Sequence, residues 1–598
     1  MNSDQALIDL RKKLIDLNVD AFIITSSDAH QSEYVHNSEM RRSFISNFTG
    51  SAGTALVLND KALLWTDGRY FLQASQELSS SWLLMKSGEP GVPEINDWLL
   101  NNLKPGQVVG VDAYLFPSSN AVALETLLSS KGVILKGVEY NPVDKIWNNR
   151  PLVPSGLVKV HNIDLAGEKH LSKIAKIQSQ LVSWEASSIV ISMLDEIMWL
   201  FNIRGSDISY NPVAICYAVL TTTKAYLFIN EGKISEQVKT HLGEMVNIVP
   251  YESIDKFLST QVNEGPVVCD PLQLNWQLYT TIKSNVLEKP SPITLAKSKK
   301  NQMELNGIRE AHIRDGAALT AFLNWLTITV KSGTKLSECD VVDKLEEFRG
   351  RMEKHVGPSF STISGYGSNG AIIHYKPEVD TCATLGTDSL FLLDSGAQYL
   401  DGTTDVTRTL CFGTPTQHMK DCFTLVLKGH IALAKAIFPE GTLGTRLDCL
   451  ARTPLWSAGL DFNHGTGHGV GAYLNVHEGP QGITFRKKDN EIGFYEGMTT
   501  SNEPGYYEEG NFGIRIENVC IVVSAKTNHH FNGRQFLTLE DVTMTPIAKN
   551  LMNFNLLDDG EKAWINAYHA KVREKVSPIM QKYFPEAMEY LISETVTI

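Results

Sequence analysis

Apolar positions along the first third of the chain fall into short runs separated by polar turns. Leu7 to Leu17 repeats its apolar residues at helical spacing and predicts an amphipathic helix. Ala21-Phe-Ile-Ile24, Thr54-Ala-Leu-Val-Leu58 and Ala62-Leu-Leu-Trp65 are short apolar runs bounded by turn residues and predict strands. Helix and strand patterns that alternate in this way define an α/β layer structure.

The design recurs farther along. Ser188-Ile-Val-Ile191 predicts a strand, Asp195 opens an apolar segment that runs to Phe201, and further strands fall near 214–220 and 225–229. Phe48-Thr-Gly-Ser51 precedes the first strand pair and Ile203-Arg-Gly-Ser206 the second, which fits a diverged duplication. A Pro- and Lys-rich stretch, Glu288 to Lys300, punctuates the chain as an interdomain boundary. A helix-period pattern from Gln302 to Val330 opens a third domain, and three short strand-rich segments then gather acidic and histidine residues. From about Gln535 onward strand and amphipathic-helix patterns return, the latter over Glu561 to Gln581, and are assigned to packing or subunit contact. The boundaries read in this way are 1–158 and 159–298 for two related small α/β domains, 299–530 for a third domain of mixed α+β type, and 531–598 for a C-terminal extension.

Composition narrows the field. The chain has 598 residues, several times the usual domain size of about 100–150, with 43% hydrophobic and 20% charged residues, proportions of a globular protein. A net charge of -13 without a long basic run leaves little to neutralise a phosphate backbone, so nucleic-acid binding is not expected. Met1 to Lys13 is polar, no later run approaches a membrane span, and the C-terminus carries no lipidation box. A cytoplasmic protein without membrane attachment is the expectation. The 8 cysteines form no CxxC pairs and are read as reduced core residues.

The candidate chemistry lies in the three later segments. In the first, Asp394 and Asp405 flank a turn between two apolar runs, a hairpin pattern that predicts them as cross-strand neighbours. Like charges so placed repel, and either a raised pKa or a divalent cation between them removes the repulsion. Taken alone, the pair is equally compatible with a solvated turn. In the second, His464, His468 and His477 stand among glycines that clear space around the imidazoles. The His464-xxx-His468 spacing does not make a helical zinc motif, because the glycines disfavour a helix and the glutamate is absent. In the third, Glu503 precedes a Pro-Gly turn, and Arg515 and Glu517 project from one strand face, where the guanidinium is expected to orient the carboxylate. Four carboxylates with one or more histidines suit two hard or borderline divalent ions, and such a pair supports hydrolysis of a carbonyl compound.

The order Asp, Asp, His, Glu, Glu in these frames resembles the pita-bread metallopeptidases, a group that includes methionine aminopeptidases, prolidases and Xaa-Pro aminopeptidases. Asp394-Ser-Gly-Ala-Gln-Tyr, Asp401-Gly-Thr-Thr-Asp405-Val-Thr-Arg, His464-Gly-Thr-Gly-His-Gly-Val-Gly and Asn502-Glu-Pro-Gly-Tyr-Tyr, with the long chain, are most similar to the cytosolic three-domain Xaa-Pro aminopeptidases. The resemblance implies Asp394, Asp405, His468, Glu503 and Glu517 as metal ligands. It also implies His374, His464 and His477 as further active-site histidines and Arg515 beside the ligands. Two divalent ions, usually manganese, a bridging hydroxide, Glu503 as proton carrier and a homodimer are implied with it. The expected substrates are peptides with a free N-terminus and proline at the second position. A prolidase, with the same ligands and one N-terminal domain, and a non-catalytic pita-bread binding module are the alternatives.

Overall fold

A computed structural model describes residues 3–261, 265–487 and 491–598. The chain divides into two compact units, the first spanning Met1–Ile163 and Glu168–Thr294, the second Asp164–Gly167 and Leu295–Ile598.

The first unit contains two six-stranded sheets of one topology. Strands β1 (Ala21–Ile24), β2 (Thr54–Leu58), β3 (Ala62–Thr66), β4 (Leu83–Lys86), β5 (Val108–Val111) and β6 (Ile134–Gly137) lie in the order β4-β3-β2-β1-β5-β6. Strands β7 (Ser188–Ile191), β8 (Cys216–Thr221), β9 (Ala225–Ile229), β10 (Val246–Val249), β11 (Val267–Cys269) and β12 (Val286–Glu288) repeat it as β10-β9-β8-β7-β11-β12. Parallel and antiparallel pairings also correspond one to one. The duplication read from the sequence is therefore one of fold. Residues alternate between two cores: Phe22, Ala55, Val57 and Leu64 pack on one face, while Ala21, Ile23, Leu56 and Leu63 pack on the other. Both faces are covered, which is why these strands read as continuous apolar runs.

The second unit opens with α1 (Gln302–Lys331), started by a capping box in which Asn301 and Glu304 satisfy each other's backbone amides. The α2 helix (Glu338–Arg349) comes next, and then a three-stranded antiparallel sheet of β13 (Ile363–Tyr366), β14 (Leu390–Ser395) and β15 (Val406–Cys411). Helices α3 (Gln417–Ala434) and α4 (Gly444–Trp456) lead to the ribbon β16 (Gly467–Gly469) and β17 (Glu478–Ile483). Beyond it, β18 (Thr499–Asn502) pairs with β21 (Asn518–Ser524), and β19 (Gly505–Glu508) with β20 (Phe512–Arg515).

The C-terminal region is an integral part of this unit. Its strand β22 (Phe536–Asp541) pairs with β21, and α5 (Asp559–Tyr583) places Ile565, Val572, Val576 and Met580 in the core that holds Phe322, Leu326 and Phe391. Gly316 of α1 lets the chain pass this closely, since a Cβ there would lie 2.2 Å from the Met544 carbonyl oxygen. Not every cysteine lies in a core, as the sequence had suggested. Cys216, Cys269, Cys411, Cys422 and Cys520 are buried free thiols, but Cys339 and Cys382 are half-buried and Cys449 is exposed. The latter three sit in helical or turn segments rich in polar residues, so they are not core.

Candidate metal centre

Several chain segments converge on one acidic cluster. Asp394 comes from the end of β14, Asp405 from the residue before β15, His468 from β16, Glu503 from the residue after β18 and Glu517 from the residue before β21. Asp405, His468 and Glu517 each present one donor atom, and the three atoms lie within 4.8 Å of one another. His468 Nε2 is 3.5 Å from Asp405 Oδ2 and 3.4 Å from Glu503 Oε1. The His468 Nδ1 contacts its neighbour's carbonyl, Gly469 O, at 2.9 Å, so Nδ1 is a donor and Nε2 is the ring nitrogen that faces the carboxylates.

Hydroxyls and one guanidinium set the carboxylate orientations. Thr407 Oγ1 donates to Glu517 Oε2 at 2.6 Å, and Ser501 Oγ donates to Glu503 Oε1 at 3.0 Å. Arg515 Nη2 donates to Asp394 Oδ2 at 2.6 Å, its Nη1 to the Tyr507 hydroxyl at 2.6 Å and its Nε to Thr407 Oγ1 at 3.2 Å. The partner expected for Arg515 was Glu517; its ion pair is with Asp394 instead. Glu517 lies beyond the end of β20, where the strict two-residue alternation that suggested the pair no longer applies.

The register also differs from a simple hairpin. Across β14 and β15, Asp394 faces Thr407 and Ser395 faces Val406, so Asp394 and Asp405 are diagonal and not directly opposed. A second short ladder, 397–399 against 402–403, forms the tip. Their charges still meet: burial first, then Asp394 and Glu503, push the Asp405 carboxyl well above its ordinary range. Burial, then Asp405, Asp394 and Glu503, do the same to Glu517. Burial raises Glu503 to about 7, against the lowering effect of Arg515. The Oδ1 atom of Asp394 is buried without a hydrogen-bond partner. Four carboxylates, one cation and an unsatisfied carboxylate oxygen form a donor set that fits divalent metal.

The histidines frame this cluster. The His477 ring lies 4.3 Å from that of His468, centroid to centroid, and its charge bears on both Asp405 and Glu503. His464 Nδ1 is 3.9 Å from Glu503 Oε2, and its Nε2 meets the Tyr507 hydroxyl at 2.8 Å. A relay His464–Tyr507–Arg515–Asp394 thus runs through the cluster. His374 is half-buried in the turn after the 3-10 segment Gly367–Ala371. No helix spans His464 to His468, in keeping with the glycines between them. Tyr507 and Thr407 had no assigned role in the sequence. Thr407 could have been found by its spacing of two from Asp405 on an extended segment, whereas Tyr507 has no comparable signal.

The fold and this site define a metallopeptidase. The family model of metallopeptidase family M24 matches residues 306–524 and that of its C-terminal region 535–598, while two creatinase/prolidase N-terminal domain models match 7–143 and 149–304. Aminopeptidase P2 of Arabidopsis thaliana is 45% identical over 97% of this chain and 86% of its own. A probable Xaa-Pro aminopeptidase P of Ajellomyces dermatitidis is 47% identical over 96% of each chain. The crystal structure of an X-prolyl aminopeptidase from Caenorhabditis elegans, described as a cytosolic enzyme with a di-nuclear active site, superimposes with a TM-score of 0.97 at 37% identity and covers 100% of both chains. The chain belongs to the Xaa-Pro aminopeptidases of metallopeptidase family M24. Among the described residues, no helix is long and apolar enough to cross a membrane.

Proposed function

We propose that this enzyme removes the N-terminal residue from peptides with proline in second position, using two divalent ions held by Asp394, Asp405, His468, Glu503 and Glu517. The observation that carries the reading is the meeting of four carboxylates with one imidazole nitrogen and a single guanidinium. Two divalent cations supply, when bound, an acidified water and a Lewis acid for the scissile carbonyl. The remaining work falls to side chains. Glu503, a carboxylate once the ions are bound, takes the proton of the attacking water and passes it toward the proline nitrogen as the C–N bond breaks. His477 or His374 donates a hydrogen bond to the carbonyl oxygen as negative charge develops there. His464, tied to Tyr507, positions the proline side of the peptide. The products are a free amino acid and a peptide that begins with proline.

Manganese as the resident metal, a homodimer and a cytoplasmic location complete the proposal. The oxygen-rich donor set supports the first without selecting it from zinc or cobalt, the family resemblance supports the second, and the cytosolic description of the nematode relative supports the third. Hydrolysis of an Xaa-Pro-Xaa tripeptide by chelated and reconstituted protein tests the core of it. Chelation should abolish the activity, and manganese should restore it better than magnesium. Full activity in metal-free protein overturns the reading.

A further inference from the structure

Outside the metal centre, one carboxylate gathers more donors than any ligand does. Glu338, the first residue of α2, is fully buried. Its Oε1 accepts from the Tyr366 amide at 2.6 Å and from Asn369 Nδ2 at 3.1 Å. Its Oε2 accepts from Asn369 Nδ2 at 3.0 Å, the Tyr375 hydroxyl at 2.7 Å and the Ala383 amide at 2.7 Å. All of these donors are neutral, and the amino end of α2 adds its own favourable dipole. The backbone makes the same connection, because the Glu338 amide donates to the Ala383 carbonyl at 3.0 Å and Ser337 bridges Thr384.

The segments bound in this way bracket His374. Tyr366 and Asn369 lie before it, Tyr375 is the next residue and Ala383 closes the loop. On its other side the loop abuts the strand that carries Arg515: a Cβ at Gly513 would lie 1.7 Å from the Gly370 carbonyl oxygen. The loop is therefore confined between Glu338 and β20. A buried carboxylate whose donors all come from one loop is arranged to fix that loop's backbone, since loss of the acceptor strands several half-buried donors at once.

We propose that Glu338 is a positioning residue for the peptidase reaction, holding through Tyr366, Asn369, Tyr375 and Ala383 the loop from which His374 reaches the scissile carbonyl. This rests on the role of His374 in the proposed peptidase reaction. The test compares Glu338→Gln, Tyr375→Phe, His374→Ala and the double variants with His374→Ala in the full chain loaded with manganese. Bound metal, KM and kcat are read on an Xaa-Pro-Xaa peptide. Glu338→Gln should lower kcat by about ten- to a hundredfold, the range expected when a reacting group is misplaced by about 1 Å, with KM and metal content little changed. Tyr375→Phe, which removes a single donor, should show the same pattern more weakly and serves if Glu338→Gln does not fold. With His374 already absent, either substitution should cost less than about twofold more, because groups that act as a unit are non-additive. Wild-type kcat in folded Glu338→Gln or, if that variant does not fold, in Tyr375→Phe overturns the proposal. So does an equal loss with and without His374 when His374→Ala itself is impaired. Wild-type turnover in His374→Ala overturns the assignment of His374, and this proposal with it.

Discussion

At Glu503 the carboxyl is raised from 4.5 to about 7, first by burial and then by the charge of Asp394, despite the nearby guanidinium. Without metal the folded chain favours the protonated form. Stability from this group is present below pH 4.5 and is lost as pH rises through about 7. Asp405 and Glu517 shift in the same direction. Divalent metal replaces those protons, so its affinity should rise about tenfold per pH unit for each proton displaced. Melting curves of metal-free and manganese-loaded protein from about pH 5 to 8 should show a metal increment that grows with pH; a flat increment would remove the carboxylates from the site. Glu503→Gln should lower turnover by orders of magnitude even where metal is retained, because the proton carrier is lost. Normal turnover in that variant would exclude Glu503. An acetylated N-terminus should hurt at least as much as alanine in place of proline, since a free amine can bind metal or the acidic cluster while proline contributes packing and amide shape. His464→Ala should then lower the proline-to-alanine rate ratio more than it lowers bound metal. The reverse pattern would make His464 a ligand or a scaffold residue.

Among the elements, α5 offers a clean separation of stability from chemistry. Met580 is fully buried in the core behind β14, so Met580→Ala should cost about 2–5 kcal/mol and lower the melting temperature with metal stoichiometry unchanged. A melting temperature equal to wild type would place α5 outside the core. The sequence pattern located this helix, and it marked β1, β2 and β7 to the residue, because strands covered on both faces interrupt polar turns sharply. The length of α1 was similarly visible in its helical period. What remained hidden depended on partners far along the chain. Nothing local joins Arg515 to Asp394, the hairpin tip is built from small residues that leave its register open, and amphipathicity alone cannot say whether α5 covers this unit or another subunit. The ligand residue types were visible because glycines and turns isolate them, whereas the hydroxyls that aim them, Thr407 and Ser501, look like ordinary strand residues.

At the scale of the molecule, the site belongs wholly to the second unit, which has its own hydrophobic core. A fragment of residues 295–598 should therefore fold and bind divalent metal; a soluble, folded fragment that binds none, measured by elemental analysis, would contradict the placement of the site. That core is closed by the last helices of the chain, with Met580, Phe584 and Leu591 all fully buried. Asp394 through Glu517 all precede those residues along the chain. A chain that stops short of those residues thus carries every proposed ligand without the packing behind them. Truncation ahead of the helices that carry Met580, Phe584 and Leu591 should therefore yield a protein without a functioning centre although every proposed ligand is encoded.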